Sequence, residues 1–370
     1  MISLRMRSNQ KFKGHIRKLI DSNFLFSSFK LPNEKKIRTI IQKSQQIRSF
    51  EDCVINERSG FIMHPFNEET SPVIWIDADQ VVVDDNFENL TNGLESRPSA
   101  FSFDHSANSK QISKETYLIK VRSLIEELKG DHLSKVVFSR FINFSSREID
   151  VVENFLNLVE KFPETFVFLV NIPGEEVWLG ASPESLVRIK GKNASTMALA
   201  GTQYGQNAFI GWREKEVQEQ AFVQKHIEKC LMQNGIKFEK AETTTKTLSS
   251  GLSHLITPYS FSVEKSQTYS LIQSLHPTPA ICGHPTEKAK SWILKNEGYD
   301  RKYYTGFLGP MNIEDSSDLF VNLRSASFGD ETKLYVGGGI IKTSDEEKEW
   351  KESEQKSRTI LDVVESEVKL

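Results

Sequence analysis

The stretch FVFLVNIPGEEVWLGA, residues 166–181, has the composition of two short strands joined by a tight turn. Phe166–Asn171 and Glu176–Ala181 are rich in aromatic and aliphatic residues, and Pro173-Gly174 between them is a turn dipeptide. Strands joined by so short a loop run antiparallel, because a parallel pair needs a crossover of a dozen or more residues. The stretch therefore predicts an antiparallel sheet.

Outward from this hairpin, short strands alternate with helices. The predicted strands are Val73–Ile76, Val81–Val83, Lys135–Phe141, Leu186–Ile189, Ser195–Ala200, Thr247–Phe261 (with breaks at Gly251 and Pro258), Leu319–Phe328 and Lys333–Ile341. The predicted helices are Asn33–Ser49, Tyr117–Leu128, Val152–Phe162, Arg213–Gln233, Lys265–Ser274, Glu287–Asn296, and a last helix from Asp345 to about Ser366 capped by Ser344. Leu186–Ile189 and Ser195–Ala200 are expected to continue the meander of the central hairpin, and the last two strands to form a second hairpin. Strands grouped in hairpins, with helices between the groups, predict an α+β fold with a mostly antiparallel sheet.

The composition limits the partners and the compartment. The chain has 370 residues with 47 Lys+Arg and 50 Asp+Glu, and its net charge of −3 argues against binding to nucleic acid, which requires a basic surface. The three cysteines form no CxxC pair, so neither a disulfide framework nor a zinc knuckle is expected. No apolar segment follows the basic N-terminus, and no apolar run is long enough to cross a membrane. We therefore expect a cytoplasmic protein without a membrane or nucleic-acid partner.

Five sequence strings indicate a family. They are KVVFSR (135–140), LGASPESLV (179–187), ALAGT (198–202), SLHPTPAICG (274–283) and LYVGGGIIKTSDEEKEWKESEQK (334–356). In this order and spacing they resemble the chorismate-utilising enzymes, the family of anthranilate synthase component I, and most closely the isochorismate synthases among them. The resemblance implies a large, mostly antiparallel β-sandwich surrounded by helices. It implies a chorismate-binding catalytic core at residues 111–370, whereas the weakly patterned residues 1–110 are expected to complete one continuous domain.

The resemblance also implies a reaction, the Mg²⁺-dependent isomerisation of chorismate to isochorismate by addition of water at ring C2 and loss of the C4 hydroxyl. Water is a poor nucleophile and hydroxide a poor leaving group, so the reaction needs a base at one end and an acid at the other. By their positions in the motifs, Lys135 is the implied base and Glu184 the implied acid. An acid that donates at neutral pH requires an environment that raises its pKa. The family usually has Arg where this chain has Ser185, next to the acid.

Acidic residues on two predicted helices are implied as magnesium ligands. Glu219 lies in EKEVQEQAFV, which resembles the family's helix with a Mg²⁺-binding glutamate, and Glu352 lies on the last helix. Glu349, nearly one turn before Glu352, is implied to share the site. Oxygen ligands suit Mg²⁺, which also offsets the repulsion between these carboxylates and a dicarboxylate substrate. The family often has His after the first of these glutamates, where this chain has Gln220.

The implied substrate contacts come from several separate segments. Arg324 in VNLRSAS is implied to bind a carboxylate through its planar guanidinium, and Tyr304 in YYTGFLG to hydrogen-bond the enolpyruvyl side chain. The other implied substrate-binding residues are Gly201, Thr202, His276, Gly337, Gly338, Gly339 and Lys356. Three consecutive glycines allow a ligand to approach backbone N–H groups closely.

Alternatives to the isomerase remain open. A salicylate synthase of the same fold would go on to expel pyruvate, an aminating relative would use ammonia in place of water, and a non-catalytic protein would only bind chorismate. The HPTP string favours the isomerase over the lyase, and Lys135 disfavours amination. The product is expected to enter menaquinone or siderophore biosynthesis, two routes that the sequence does not distinguish. We expect a monomer whose partner is the small molecule chorismate.

Overall fold

The computed structural model describes residues 2–43, 48–87, 110–144, 149–204, 211–248 and 251–364. Within these ranges the strands are β1 (Phe26–Lys30), β2 (Arg38–Ile41), β3 (Gly60–His64), β4 (Ile74–Asp77), β5 (Gln80–Val83), β6 (Lys135–Phe144), β7 (Phe166–Asn171), β8 (Val177–Ser182), β9 (Ser185–Lys190), β10 (Asn193–Tyr204), β11 (Phe238–Lys240), β12 (Thr244–Thr247), β13 (Leu252–Ser262), β14 (Gly283–His284), β15 (Phe307–Met311), β16 (Ser316–Val321), β17 (Ser325–Phe328) and β18 (Thr332–Ile341). The helices are α1 (Ile2–Asp21), α2 (Phe50–Ile55), α3 (Lys114–Glu127), α4 (Val151–Lys161), α5 (Glu214–Gln233), α6 (Lys265–Leu275), α7 (Thr286–Asn296) and α8 (Glu346–Val364).

The strands form two antiparallel sheets. The first has the order β14-β6-β18-β17-β8-β7-β1-β2-β5, and the second has the order β11-β13-β10-β9-β16-β15-β3-β4, with β12 also paired to β13. The predicted hairpin at residues 166–181 is β7 and β8, in register from Phe166 opposite Ser182 to Asn171 opposite Val177. The prediction of an α+β fold with a mostly antiparallel β-sandwich and surrounding helices is confirmed.

Alternating side chains of β7 show where the core lies. Phe166 and Phe168 point toward the second sheet, where the ring of Phe166 stacks on Phe320 of β16 at 4.2 Å between centroids. Val167 and Leu169 point the other way and pack with residues of α1, α4 and α8. This period of two is what a strand buried on both faces requires. The first sheet is therefore covered by the second sheet on one face and by helices on the other.

The predicted helix at Asn33–Ser49 is wrong. Arg38–Ile41 is strand β2, which pairs with β1 on one side and β5 on the other. Ile40 and Ile41 are both fully buried, but they belong to core clusters on opposite faces of the sheet. Two adjacent isoleucines fit one side of a helix as well as two faces of a strand, and the tertiary pairing decides between them. Ile47 of the predicted helix lies outside the described residues.

The chain passes from one sheet to the other at two places where the sequence predicted continuous pairing. β8 lies in the first sheet and β9 in the second, so the predicted meander is interrupted at Pro183-Glu184. The predicted strand Leu319–Phe328 is likewise two strands in different sheets, β16 and β17. The crossovers lie side by side, because the Val321 amide donates to the Glu184 carbonyl at 3.0 Å and the Ala181 amide donates to the Arg324 carbonyl at 3.1 Å. They bring Glu184 and Arg324 into one region.

Two smaller predictions are also wrong, and several elements were missed. Pro258 does not break its strand, since β13 runs through it with Pro258 opposite Met197. The cap of α8 is Asp345, whose carboxylate accepts from the Lys348 amide at 3.0 Å, whereas the Ser344 hydroxyl accepts from the Ile341 amide. The elements without a sequence prediction are α1, α2, β1, β3, β11, β14 and β15, and β12 overlaps the predicted strand Thr247–Phe261 only at Thr247.

The first part of the chain contributes strands to both sheets. β1 pairs with β7 in the first sheet, and β3 pairs with β15 in the second. Residues 88–109, just before the expected start of the catalytic core at residue 111, lie outside the described residues. All three cysteines are buried free thiols. None of the helices within the described ranges combines the length and apolar composition that a bilayer-spanning segment requires.

Candidate active site

A cavity of about 820 Å³ lies where β6, β18, β10, α5 and α8 meet the two crossovers. The volume includes space that is open to solvent. The predicted site residues that line it are Lys135, Glu184, Gly201, Glu219, Tyr304, Arg324, Gly337, Gly338, Gly339, Glu352 and Lys356. Residues from positions 135 to 356 of the sequence therefore share one cavity.

Lys135 begins strand β6, opposite His284 on one side and Ile341 on the other. Its side chain is 1% exposed, and its Nζ donates to Glu219 Oε2 at 3.2 Å. Gly339 leaves room for it, because a Cβ at that position would lie 2.7 Å from Lys135 Cε. The amine is thus held inside the cavity by a strand, a glycine and a carboxylate.

Glu184 lies at the crossover between β8 and β9. Burial raises the pKa of its carboxyl to about 8, an effect that the charge of Lys135 partly opposes. The side chain is therefore protonated at neutral pH and can donate a proton. Ser185, where the family usually has Arg, buries its hydroxyl without a hydrogen-bond partner among the described residues, so the protonated acid receives no cationic support from that position.

Three glutamates and three lysines form an ion-pair cluster at the ends of α5 and α8. Glu219 contacts Lys135, Glu352 Oε1 lies 2.7 Å from Lys356 Nζ, and Glu349 is hydrogen-bonded by Lys215. The lysines paired with these glutamates are Lys135, Lys215 and Lys356. Glu349 is buried behind Gly338 rather than at the cavity surface, and burial raises its pKa. Lys215 had no sequence prediction, although it lies four residues before Glu219.

These carboxylates are the groups that could hold a divalent cation. The Oε2 atom of Glu349 is buried and has no hydrogen-bond partner within the described ranges, and Glu219 and Glu352 both line the cavity. In the described part of the chain no group of three or more His, Cys, Asp or Glu side chains has the spacing of a formed metal site. The donor chemistry fits a hard cation such as Mg²⁺.

Arg324 lies at the second crossover in a left-handed conformation with φ of 50°. Its Nη2 donates to His254 Nε2 at 3.0 Å, and His254 Nδ1 is 2.8 Å from the Gly201 carbonyl. A carbonyl only accepts, so Nδ1 bears the proton and Nε2 accepts from the guanidinium. Burial and the charge of Arg324 lower the pKa of His254 to about 3, so the ring stays neutral. His254 was not predicted from the sequence, although its strand β13 pairs with β10, which contains Gly201.

Tyr304 points into the cavity and the adjacent Tyr303 points away from it. A Cβ at Gly337 would lie 3.3 Å from the Tyr304 hydroxyl, whereas the Tyr303 hydroxyl donates to the Pro72 carbonyl at 2.9 Å. Burial raises the pKa of Tyr304 to about 12, so its hydroxyl remains a donor. Lys356 also reaches this region, because its Nζ donates to the Gly337 carbonyl at 3.1 Å.

Gly201 and His276 were predicted to bind the substrate, and of these two only Gly201 lines the cavity. Gly201 has φ of 68° at a register shift of β10, and a Cβ there would lie 2.9 Å from Glu216 Cβ. The His276 ring is directed away, with Nε2 3.0 Å from the Thr305 carbonyl and its edge on Phe307. Ala280 and Ile281, which directly follow the HPTP segment, line the cavity instead. The side chain of Thr202 lies outside the described residues.

Comparison with known proteins gives the class. Residues 75–365 match the family model described as Chorismate binding enzyme, and the chain belongs to that family. It is 29% identical over 243 residues to isochorismate synthase EntC of Escherichia coli, covering 62% of this chain and 62% of EntC. It is 28% identical over 289 residues to isochorismate synthase DhbC of Bacillus subtilis, covering 70% of this chain and 72% of DhbC. The chain thus aligns with less than two thirds of the length of EntC.

Solved structures give the same fold. DhbC of Bacillus anthracis superposes with a TM-score of 0.74 at 23% identity, over 94% of this chain and 98% of that chain. MenF of Escherichia coli superposes with a TM-score of 0.73 at 18% identity, over 93% and 89%. The family resemblance predicted from the five sequence strings is confirmed.

Proposed function

We propose that this protein is an isochorismate synthase, which adds water at ring C2 of chorismate and releases the C4 hydroxyl. The observation that supports this most directly is that Lys135, at the start of β6, and Glu184, at the crossover between β8 and β9, line one cavity. The names of the aligned relatives EntC and DhbC support the same activity.

The two ends of the reaction need opposite proton transfers, and two groups of the cavity are suited to them. Lys135 is the proposed base that takes a proton from the attacking water. Glu184 is the proposed acid that protonates the departing C4 hydroxyl, because burial keeps its carboxyl protonated up to a pKa of about 8. An acid and a base of this kind each contribute typically about 100- to 10,000-fold in rate.

The substrate is a dicarboxylate, and cationic and neutral donors surround the cavity. Arg324 and Lys356 supply positive charge, while Tyr304 and the backbone at Gly337–Gly339 supply neutral donors. His254 orients Arg324 by accepting one of its N–H groups. We propose that these residues hold the enolpyruvyl carboxylate.

The proposed cofactor is Mg²⁺, with Glu219, Glu352 and Glu349 as the residues that would hold it. When bound, the cation would neutralise these carboxylates together with the ring carboxylate of the substrate. Lys215 and Lys356 balance the glutamate charges in the structure described here.

Chorismate consumption with Mg²⁺ and with EDTA, followed by chromatography of the product, tests the proposal. Isochorismate formed only with Mg²⁺ is the expected result. Salicylate fluorescence would indicate the lyase, anthranilate formed with ammonium salts would indicate amination, and binding of chorismate without turnover would indicate a non-catalytic protein.

We propose that the product enters menaquinone or siderophore biosynthesis and that the protein is located in the cytoplasm.

A further inference from the structure

Arg301 is buried behind the cavity, between α7 and β15, and all five of its N–H donors have partners. Its side chain is 1% exposed. Nε and Nη2 donate to the two oxygens of Glu297 at 2.7 and 2.5 Å. The remaining donors reach the Val137 carbonyl at 2.7 Å, the Ile281 carbonyl at 3.0 Å and Thr305 Oγ1 at 3.1 Å. The planar fork of an arginine is suited to several fixed acceptors at once.

The three acceptors outside the ion pair belong to three different walls of the cavity. Val137 is on β6, two residues after Lys135, whereas Ile281 follows the HPTP segment and Thr305 follows Tyr304. All three line the cavity, and Arg301 does not. A single side chain therefore connects the strand of the proposed base to the turn of the proposed substrate-binding tyrosine.

Glu297 fixes the same strand at a second point. Its Oε1 accepts from the Ser139 amide at 2.6 Å and from the Ser139 hydroxyl at 2.8 Å. The Tyr299 hydroxyl lies 2.6 Å from that serine Oγ. Ser139 is opposite Gly337 in the sheet, so the ion pair also sets the backbone of β6 against the glycine-rich strand.

Thr305 is the acceptor whose conformation most needs support. It has φ of 60°, a region that β-branched residues rarely adopt and that costs free energy unless the surroundings fix it. Arg301 holds its hydroxyl, the Asn322 carbonyl accepts from its amide at 2.8 Å, and His276 donates to its carbonyl at 3.0 Å. The strained turn is thus held from three directions, and it carries Tyr304.

We propose that Arg301, with Glu297, is a positioning residue that fixes the placement of Lys135 relative to Tyr304 across the cavity. The competing explanation is that Arg301 only neutralises a buried carboxylate. The kinetic part of this inference rests on the proposed isochorismate synthase activity, and its structural part does not.

Arg301→Lys separates the two explanations, because lysine keeps the charge and loses the fork. If Arg301 positions the walls, kcat falls about 10- to 100-fold while KM for chorismate changes less than about threefold, measured at a temperature at which the circular dichroism spectrum shows the variant to be folded. Arg38→Lys is the matched control, since Arg38 is a buried arginine paired with Glu34 and Glu314 that lines no part of this cavity. The kcat of Arg38→Lys is expected to stay at the wild-type value. Arg301→Lys with a kcat within about threefold of the wild type overturns the proposal.

Hydrogen exchange provides a readout that needs no turnover. In Arg301→Lys, amides in peptides 135–139, 278–283 and 303–306 are expected to exchange roughly tenfold faster, while those of β13 are unchanged. Unchanged exchange in the three peptides overturns the proposal. If the wild type fails to convert chorismate, the proposed function fails and the exchange result still decides the positioning role.

The double variant Arg301→Met with Glu297→Met covers the case in which the single variant does not fold. Replacing both members of a buried ion pair by apolar residues is often tolerated, because no lone charge is left. We expect this variant to fold and to retain the loss of kcat and the faster exchange. Recovery of the wild-type kcat in it would overturn the proposal.

Discussion

Glu184→Gln tests whether the proposed acid is protonated in the folded protein. Glutamine resembles the neutral carboxyl in shape and cannot ionise or donate the acidic proton. Below pH 4.5 the carboxyl of Glu184 is protonated in both the folded and the unfolded state. Above that pH the unfolded chain ionises while burial keeps the folded carboxyl protonated up to a pKa of about 8. The stability that this group contributes is therefore lost as the pH rises from 4.5 through about 8.

The size of this loss follows from the interval between the two pKa values. The interval of about 3.5 pH units, at about 1.4 kcal/mol per unit, corresponds to about 5 kcal/mol in the free energy of unfolding. About 4 kcal/mol of it falls between pH 5 and pH 9. Urea unfolding of the wild type and of Glu184→Gln at these two pH values measures it, since the other titrating groups are common to both proteins and cancel in the difference.

The same variant connects the pKa to activity. Glu184→Gln is expected to lower kcat about 100- to 10,000-fold, and the wild-type kcat/KM is expected to decline above a pH of about 8. If the free energies of unfolding of the two proteins change equally between pH 5 and pH 9, Glu184 is ionised at neutral pH. It could not then be the acid, and the proposed mechanism would be refuted.

Three further substitutions test the other parts of the site. Lys135→Ala is expected to lower kcat about 100- to 10,000-fold while chorismate binding measured by equilibrium dialysis changes little, and near-normal turnover would contradict its role as base. Glu352→Gln is expected to lose activity and to weaken the Mg²⁺ dependence in a metal titration, so an unchanged titration would refute the ligand assignment. Gly339→Ala is expected to lose most of its kcat, because the added Cβ would lie 2.7 Å from Lys135 Cε and 2.9 Å from Glu219 Oε2. Gly338→Ala meets only one atom, at 3.4 Å, and should lose much less, so equal losses in the two alanine variants would contradict the steric argument.

The sequence predicted the cavity well where a short string carries both the strand and the functional residue. KVVFSR contains Lys135 at the start of β6, and LYVGGGIIK contains Gly337–Gly339 of β18, which pair with Val137–Ser139 of β6. When a functional residue lies inside the string that forms the strand, predicting the strand also predicts where that residue lies in the fold. The same reasoning fails for His276, which does not line the cavity and whose ring is directed toward Thr305 and Phe307. A string fixes where the backbone lies, and the packing of neighbouring rings decides where one side chain points.

The two crossovers could not be predicted for a different physical reason. Both sheets are antiparallel and buried, so strands on either side of a crossover have similar composition and hydrophobic alternation. Pro183 is compatible with a turn inside one sheet or with a passage between two. The choice depends on hydrogen bonds between segments more than 130 residues apart, such as that from the Val321 amide to the Glu184 carbonyl. Glu184, the proposed acid, and Arg324, the proposed carboxylate-binding arginine, lie at these two crossovers.

His254 shows how a site residue can escape a search for motifs and still be found from the fold. It lies in β13, where Leu255 is opposite Ala200 and Ser253 opposite Gln203, so the register places it beside the bulge that contains Gly201. Nδ1 of the neutral His254 ring donates to the Gly201 carbonyl, so its Nε2 can only accept a hydrogen bond. The donor is the guanidinium of Arg324, a residue that the sequence had already assigned to substrate binding. The neutral ring can therefore orient Arg324 without competing with it for an anionic ligand. Once the pairing of β13 with β10 is known, it places His254 beside Gly201, where the ring can orient Arg324. No motif in the sequence indicates this role.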